Sequence, residues 1–195
     1  AVVRGTSRAL IVADLPFGSY QASIAQALDT AARFMKEAGA HAVKLEGGQA
    51  VLPQVEALAN AGVPVIGHLG LTPQSVNALG GYRVQGRGES GEFLLRDAKA
   101  LQAAGASAVV LEVVLVVHAE RVTEILSIPT IGIGAGAGTD AQVIVWQDLL
   151  GLSAGRGPKF VKRYADLRTV MSDAVGAWSD DVRNGSYPGP EHSYS

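Results

Sequence analysis

The sequence predicts an α/β fold wound as a barrel of parallel strands, and three observations carry that prediction. Short apolar runs alternate with helix-like segments along the chain. The runs are continuously apolar, as expected of strands covered on both faces in a parallel sheet wrapped by helices. Four of them end on a polar residue: ALIVAD at Asp14, HAVKLE at Glu46, VPVIGH at His68 and SAVVLE at Glu112. A doubly wound sheet, the other architecture these patterns allow, gathers its site at one switch point. A barrel draws on many strand ends, so the barrel is the better reading.

Each element has its own signal. Residues 9–14 form the first strand. Residues 22–38 read as a helix because Ile24, Ala27, Leu28, Ala31, Phe34, Met35 and Ala38 recur at spacings of three and four, with Gly39 closing it. A strand at 41–46 is followed by a helix near 50–60, closed by Gly62, and a strand at 63–69. After a long loop, a helix at 91–104 ends at Gly105 and feeds a strand at 107–112. A helix near 117–126 leads to a strand at 128–135, and VIVWQD at 143–148 is the last strand candidate. The joints EAGAHAV, NAGVPV and AAGASAV share wording, a weak repeat of βα units.

These are about six of the eight strands that a closed barrel of about 250 residues needs. The chain has 195 residues, opens AVVRGTSRALIVAD without an initiator Met, and reaches its first strand almost at once. The expectation is one barrel domain over 1–195, N-terminally incomplete, with the two absent strands belonging before Ala1.

Composition narrows the function classes. With 16 Lys and Arg against 18 Asp and Glu, the formal charge is −2. No basic field draws the chain to nucleic acid or anionic lipid, so small molecules and copies of itself are the expected partners. The absence of cysteine excludes a disulfide framework, a thiolate metal site and a cysteine nucleophile. No run of about 18 apolar residues suggests a membrane span, and no signal-type segment follows Arg4 and Arg8. A cytoplasmic, homo-oligomeric enzyme is the simplest expectation.

The strand ends suggest chemistry. Asp14 and Glu46 end successive strands and would lie side by side at the barrel mouth. Their hard oxygens suit Mg²⁺, which takes one or two carboxylates and completes its shell with water and substrate oxygens. Lys44, two residues before Glu46, points to the same side of its strand, so the pair suits an anionic, chelating substrate such as a 2-oxo acid. A Lys–Glu ion pair solvated at the rim is the plain alternative. Glu112 stands between apolar AVVL and VVLVV, a setting that suits a general base working near neutrality, with helix capping as the alternative. His68, in GHLG, is either a hydrogen-bond donor to a ligand or a structurally satisfied histidine.

Two further segments stand out. IGIGAGAG at 131–138 resembles a dinucleotide fingerprint, but the next strand candidate begins near Val143 and leaves no room for the crossover helix. A tight glycine-rich turn fits better. The loop from Gly70 to Gly91 is too long for an idle connection. Its Thr72, Gln74, Asn77, Tyr82, Arg83, Gln85 and Arg87 suit a large ligand with amides and carboxylates, or a subunit contact.

Taken in order, ADLPFGSY, KLEGG, GHLGLTPQSVN, GGYRVQGRG, VLE, IGIGAG and YPGPEHSY resemble the ketopantoate hydroxymethyltransferase family along essentially the whole chain. The resemblance implies a (βα)8 TIM barrel of the phosphoenolpyruvate/pyruvate type, decameric in bacteria. It also implies Mg²⁺ and the co-substrate 5,10-methylenetetrahydrofolate, whose hydroxymethyl unit is transferred to 3-methyl-2-oxobutanoate to give 2-dehydropantoate for pantothenate biosynthesis. By resemblance, Asp14 and Glu46 are metal ligands, Asp14, Lys44 and His68 belong to the substrate site, and Glu112 is the proton acceptor. The folate-contacting residues are not assigned.

Two departures from the family pattern stand out. The family's upstream G-D-S motif, which supplies another metal carboxylate and a substrate-binding serine, has no counterpart here. Leu115 stands where the family usually has proline shortly after the catalytic glutamate, removing a φ restraint at a helix start. Two other functions therefore stay open: another Mg²⁺-dependent 2-oxo acid lyase of the same superfamily, against which the long loop after His68 argues, and a truncated, catalytically silent scaffold subunit.

Overall fold

The computed structural model describes residues 1–86, 88 and 90–194. The chain divides into two compact units, Ala1–Val143 and Ile144–Ser195. The first unit holds a six-stranded, all-parallel sheet: β1 (Val12–Asp14), β2 (Ala42–Glu46), β3 (Val65–Gly70), β4 (Ala108–Glu112), β5 (Thr130–Ile133) and β6 (Ala141–Gln142). The strands pair in strict chain order. A doubly wound sheet reverses its order at a switch point; this one does not, which is the winding of a barrel.

The unit also carries a one-turn helix α1 (Val2–Gly5), followed by α2 (Ile24–Lys36), α3 (Leu52–Asn60), α4 (Ser90–Ala103) and α5 (Val116–Ile125). Ser23 caps α2 by accepting the Gln26 N–H, and Ala27 and Ala31 are its buried residues. A proline in the first turn of α3 occupies a position whose N–H would lack an intrahelical partner anyway. One face of the sheet, with Val43, Leu45, Val65, Val109 and Leu111 all fully buried, packs in one core cluster with Val55, Leu58, Ala98, Leu101, Ala119 and Val122 from the helices. Burial of each valine or leucine among them is worth about 1.5–3 kcal/mol. The opposite face carries a smaller cluster, Ile66, Ala108, Val110 and Ile133, with Ile131 against it.

The second unit contains α6 (Trp146–Leu149), α7 (Leu167–Asn184) and a 3₁₀ turn at Pro190–His192. Here the expectation of a strand over 143–148 is corrected. The sixth strand is the two-residue β6, the Val143 N–H makes a last bond to Gly132 O, and residues 146–149 turn into helix on the Val145 carbonyl. An apolar run this short carries no periodicity that separates strand from helix. Helix α7, with Asp166 capping it by accepting the Thr169 N–H, is an element the sequence reading did not anticipate. None of the described helices is long and apolar enough to cross a membrane.

Candidate functional site

Alternate residues of a strand share a face, and this periodicity builds the site. Lys44 pairs in register with Asp14 and with Ile66, Glu46 with His68, His68 with Val110, and Glu112 with Ile133. The polar residues therefore lie on the same sheet face as the small apolar cluster, toward the C-terminal ends of β1 to β4. All five residues singled out from the sequence are linked. Lys44 Nζ lies 2.6 Å from Asp14 Oδ1, 3.7 Å from Glu46 Oε1 and 3.2 Å from His68 Nδ1. His68 Nδ1 is 3.5 Å from Glu46 Oε1, and Nε2 is 3.2 Å from Glu112 Oε2.

Of the two readings of Lys44, the structure displays the ion pair, but not a solvated one: the Lys44 side chain is only 18% exposed and that of Glu46 4%. Asp14 and Glu46 bracket one cationic point from adjacent strands. Two carboxylates converging in this way fit a divalent cation that draws its remaining ligands from water and substrate. Among the described residues, no group of three or more His, Asp or Glu side chains is arranged to hold a metal on its own.

The electrostatics follow from burial and neighbours. Burial pushes the Glu46 carboxyl upward, but hydrogen bonds from His68 and the Gln74 N–H, together with the positive charges of His68 and Lys44, bring it below its ordinary value. Burial pulls His68 down and Lys44 repels a second charge, yet Glu112 and Glu46 on its two sides leave it raised. His68 Nε2 is close to Glu112 but misaligned for a hydrogen bond, so this buried nitrogen has no hydrogen-bond partner. The ring thus sits between the two carboxylates, Nδ1 toward Glu46 and Nε2 toward Glu112.

Tyr20 and Val113 carry the site without having signalled themselves in the sequence. Tyr20 is fully buried; its hydroxyl accepts the Glu46 N–H at 3.1 Å and donates to Gln74 Oε1 at 2.8 Å. It follows LPFGS, which reads only as a loop. Val113, next to Glu112, has φ +50, a left-handed conformation that costs a β-branched residue about 1–3 kcal/mol. Its N–H donates to Ile133 O and its carbonyl accepts the Gln85 N–H, both at 2.8 Å. No glycine or asparagine marks this turn inside VVLVV. Leu115, the departure from the family pattern, sits at φ −62 before α5, a value a proline would also hold.

The long loop divides its residues between roles. Gln74 turns inward, and Gln85 bridges to Val114 as a short extension of the sheet. Thr72, Gln85, Phe93 and Asp97 help line a cavity of about 200 Å³. Tyr82 is exposed, and Arg87 lies outside the described residues. After the glycine run at 131–138, only residues 134–140 stand between β5 and β6, without a crossover helix.

Fold and site together define a parallel α/β protein of the barrel class, with a polar centre at the C-terminal ends of its strands. Solved structures with the same fold include a phosphonopyruvate hydrolase (TM-score 0.52, 12% identity, covering 94% of this chain and 64% of that one). A phosphoenolpyruvate phosphomutase from Streptomyces platensis subsp. rosaceus is similar too (TM-score 0.52, 16% identity, 92% and 66%). The chain belongs to the ketopantoate hydroxymethyltransferase family, whose sequence profile matches residues 1–190. It is 67% identical over 194 residues to the 3-methyl-2-oxobutanoate hydroxymethyltransferase of Frankia casuarinae, covering 100% of this chain and 66% of that protein. The enzyme of the same name from Frankia alni is 69% identical, with 100% and 64% covered. The chain thus spans slightly less than two thirds of the length of these relatives.

Proposed function

We propose that this chain carries the reaction face of a 3-methyl-2-oxobutanoate hydroxymethyltransferase that uses Mg²⁺ and 5,10-methylenetetrahydrofolate within a cytoplasmic homo-oligomer. The observation that carries the reading is the unbroken series of contacts Asp14–Lys44–Glu46–His68–Glu112 across four successive strand ends. The activity for which the relatives are named supports the reaction class.

Asp14 and Glu46 are the residues that would hold Mg²⁺, which when bound supplies Lewis-acid stabilisation of negative charge developing on the 2-oxo oxygen. Lys44 faces the substrate carboxylate as a largely buried cation. Glu112 accepts the C3 proton of 3-methyl-2-oxobutanoate, and His68, against its Oε2, holds it in place. Water adds to the folate's methylene carbon as its two carbon–nitrogen bonds break, the nitrogens taking the two water hydrogens as tetrahydrofolate leaves. The C3 carbanion equivalent then bonds to the freed formaldehyde carbon, whose oxygen takes the proton held on Glu112.

The test is Mg²⁺-dependent deuterium exchange at C3 of 3-methyl-2-oxobutanoate, followed by NMR without folate. Loss of the base in Glu112→Gln is expected to slow exchange about 100- to 10,000-fold. The reading is refuted if Glu112→Gln exchanges like the parent, or if a protein carrying these residues at the relatives' full length exchanges nothing.

A further inference from the structure

We infer that Gln74 is a positioning residue that fixes the separation of the Asp14 and Glu46 carboxylates. This rests on the proposed function insofar as that pair is read as a cation site. Gln74 lies in the 3₁₀ turn Pro73–Ser75 that opens the long loop after β3. From there it reaches the ends of β1 and β2. Its main-chain N–H donates to Glu46 Oε2 at 2.9 Å. Its side-chain Nε2 donates to the carbonyl of Leu15, the residue after Asp14, at 2.9 Å. Its Oε1 accepts from the Tyr20 hydroxyl at 2.8 Å and from Gln21 Nε2 at 3.3 Å.

These bonds close a ring around Glu46. Tyr20 accepts the Glu46 N–H while Gln74 donates to the Glu46 carboxylate, so main chain and side chain of one residue are held from two directions. The ring is anchored in the core, because Tyr20 is 1% exposed. On the other side, the Leu15 N–H donates to Lys44 O at 2.9 Å, so the Leu15 peptide is fixed by β2 and by Gln74 together. One residue thereby ties the strand end bearing Asp14, through its side-chain amide, to the carboxylate of Glu46, through its main-chain N–H. The position needs a donor and an acceptor on one planar group. Methionine fills the same length and provides neither strong donor nor strong acceptor.

Partners of this kind orient ligating carboxylates, and their loss lowers metal affinity about 10- to 100-fold. The probe is Mn²⁺, titrated into the whole chain by electron paramagnetic resonance, alongside the ¹³C carboxyl resonances of Asp14 and Glu46 recorded without metal. Gln74→Met is expected to weaken Mn²⁺ binding about 10- to 100-fold and to move both carboxyl resonances. Ser75→Ala, on the same turn, is expected to leave both readouts unchanged. Tyr20→Phe removes one oxygen and provides a second perturbation of the ring, read at the Glu46 amide proton. Unchanged carboxyl resonances in Gln74→Met, or an unmoved Glu46 amide in Tyr20→Phe, overturn the inference. If the resonances move but the parent chain binds no Mn²⁺, the positioning role of Gln74 stands and the cation reading of Asp14 and Glu46 falls.

Discussion

Gly70→Ala tests the closest backbone approach beneath Glu112. Gly70 ends β3 at φ +92 and pairs in register with Glu112. A Cβ there would overlap the Glu112 carbonyl oxygen and lie 2.5 Å from Val114 Cγ1. That same oxygen accepts the Leu71 N–H at 2.8 Å, so it cannot retreat without breaking a bond between β3 and β4. The conformational cost of an L-residue in the left-handed region is about 1–2 kcal/mol. Overpacking against backbone adds about 1–3 kcal/mol. The sum, about 2–5 kcal/mol, corresponds to a fall in Tm of about 4–20 °C for a chain of this size. Gly62→Ala is the control: Gly62 has φ +81 but nothing within 4 Å of the Cβ position, so only the conformational term of about 1–2 kcal/mol remains. Both variants share the same gain from a less flexible unfolded chain, so that effect cancels in the comparison. Differential scanning calorimetry on the pair isolates the close approach. A Gly70→Ala protein no less stable than Gly62→Ala refutes the packing argument.

Two further outcomes follow from single residues. Val113→Asn keeps the left-handed turn at lower cost, because asparagine tolerates positive φ. It is expected to raise Tm by about 2–4 °C, equivalent to about 1 kcal/mol, and a lower Tm contradicts the strain at this position. Asp140 accepts the Thr130 N–H at 2.8 Å and its hydroxyl at 3.0 Å, bonds that hold its carboxyl below the ordinary range. A lowered folded value means that the stabilisation is present above the unfolded pKa of about 3.9 and is lost as pH falls through the folded one. The Tm advantage over Asp140→Asn, a neutral isostere, should therefore be widest near neutrality and close in acid. A gap that widens below pH 4 reverses the assignment.

The barrel winding and the five polar residues were legible because short apolar runs alternate with helix-like segments and end on polar residues, with Lys44 placed beside Glu46 by the period of two. A continuous apolar run identifies a strand buried on both faces, and its last inward residue identifies a contributor to the site, as with Glu46 and Glu112. What stayed hidden depends on contacts between segments distant in sequence. Tyr20 acts through Glu46 and Gln74, 26 and 54 residues away. Gln74 looked like a ligand contact in a polar loop, yet its side chain turns back into the fold. Val113 adopts a conformation that its residue type opposes and that only the bonds to Ile133 and Gln85 maintain. The 143–148 run failed for a different reason, since apolar character without periodicity does not choose between strand and helix.

Strand pairing in strict chain order also sets a timetable for the polar cluster. Each of β2 to β6 pairs with the strand just before it in the chain, so during synthesis its partner is already upstream when it emerges. Lys44, the counter-charge of Asp14, emerges next, and His68, the imidazole beside Glu46, follows with β3. Glu112 comes last, and the turn behind it is secured only once Ile133 offers its carbonyl to Val113. Asp14, Lys44, Glu46 and His68 thus leave the ribosome before Glu112.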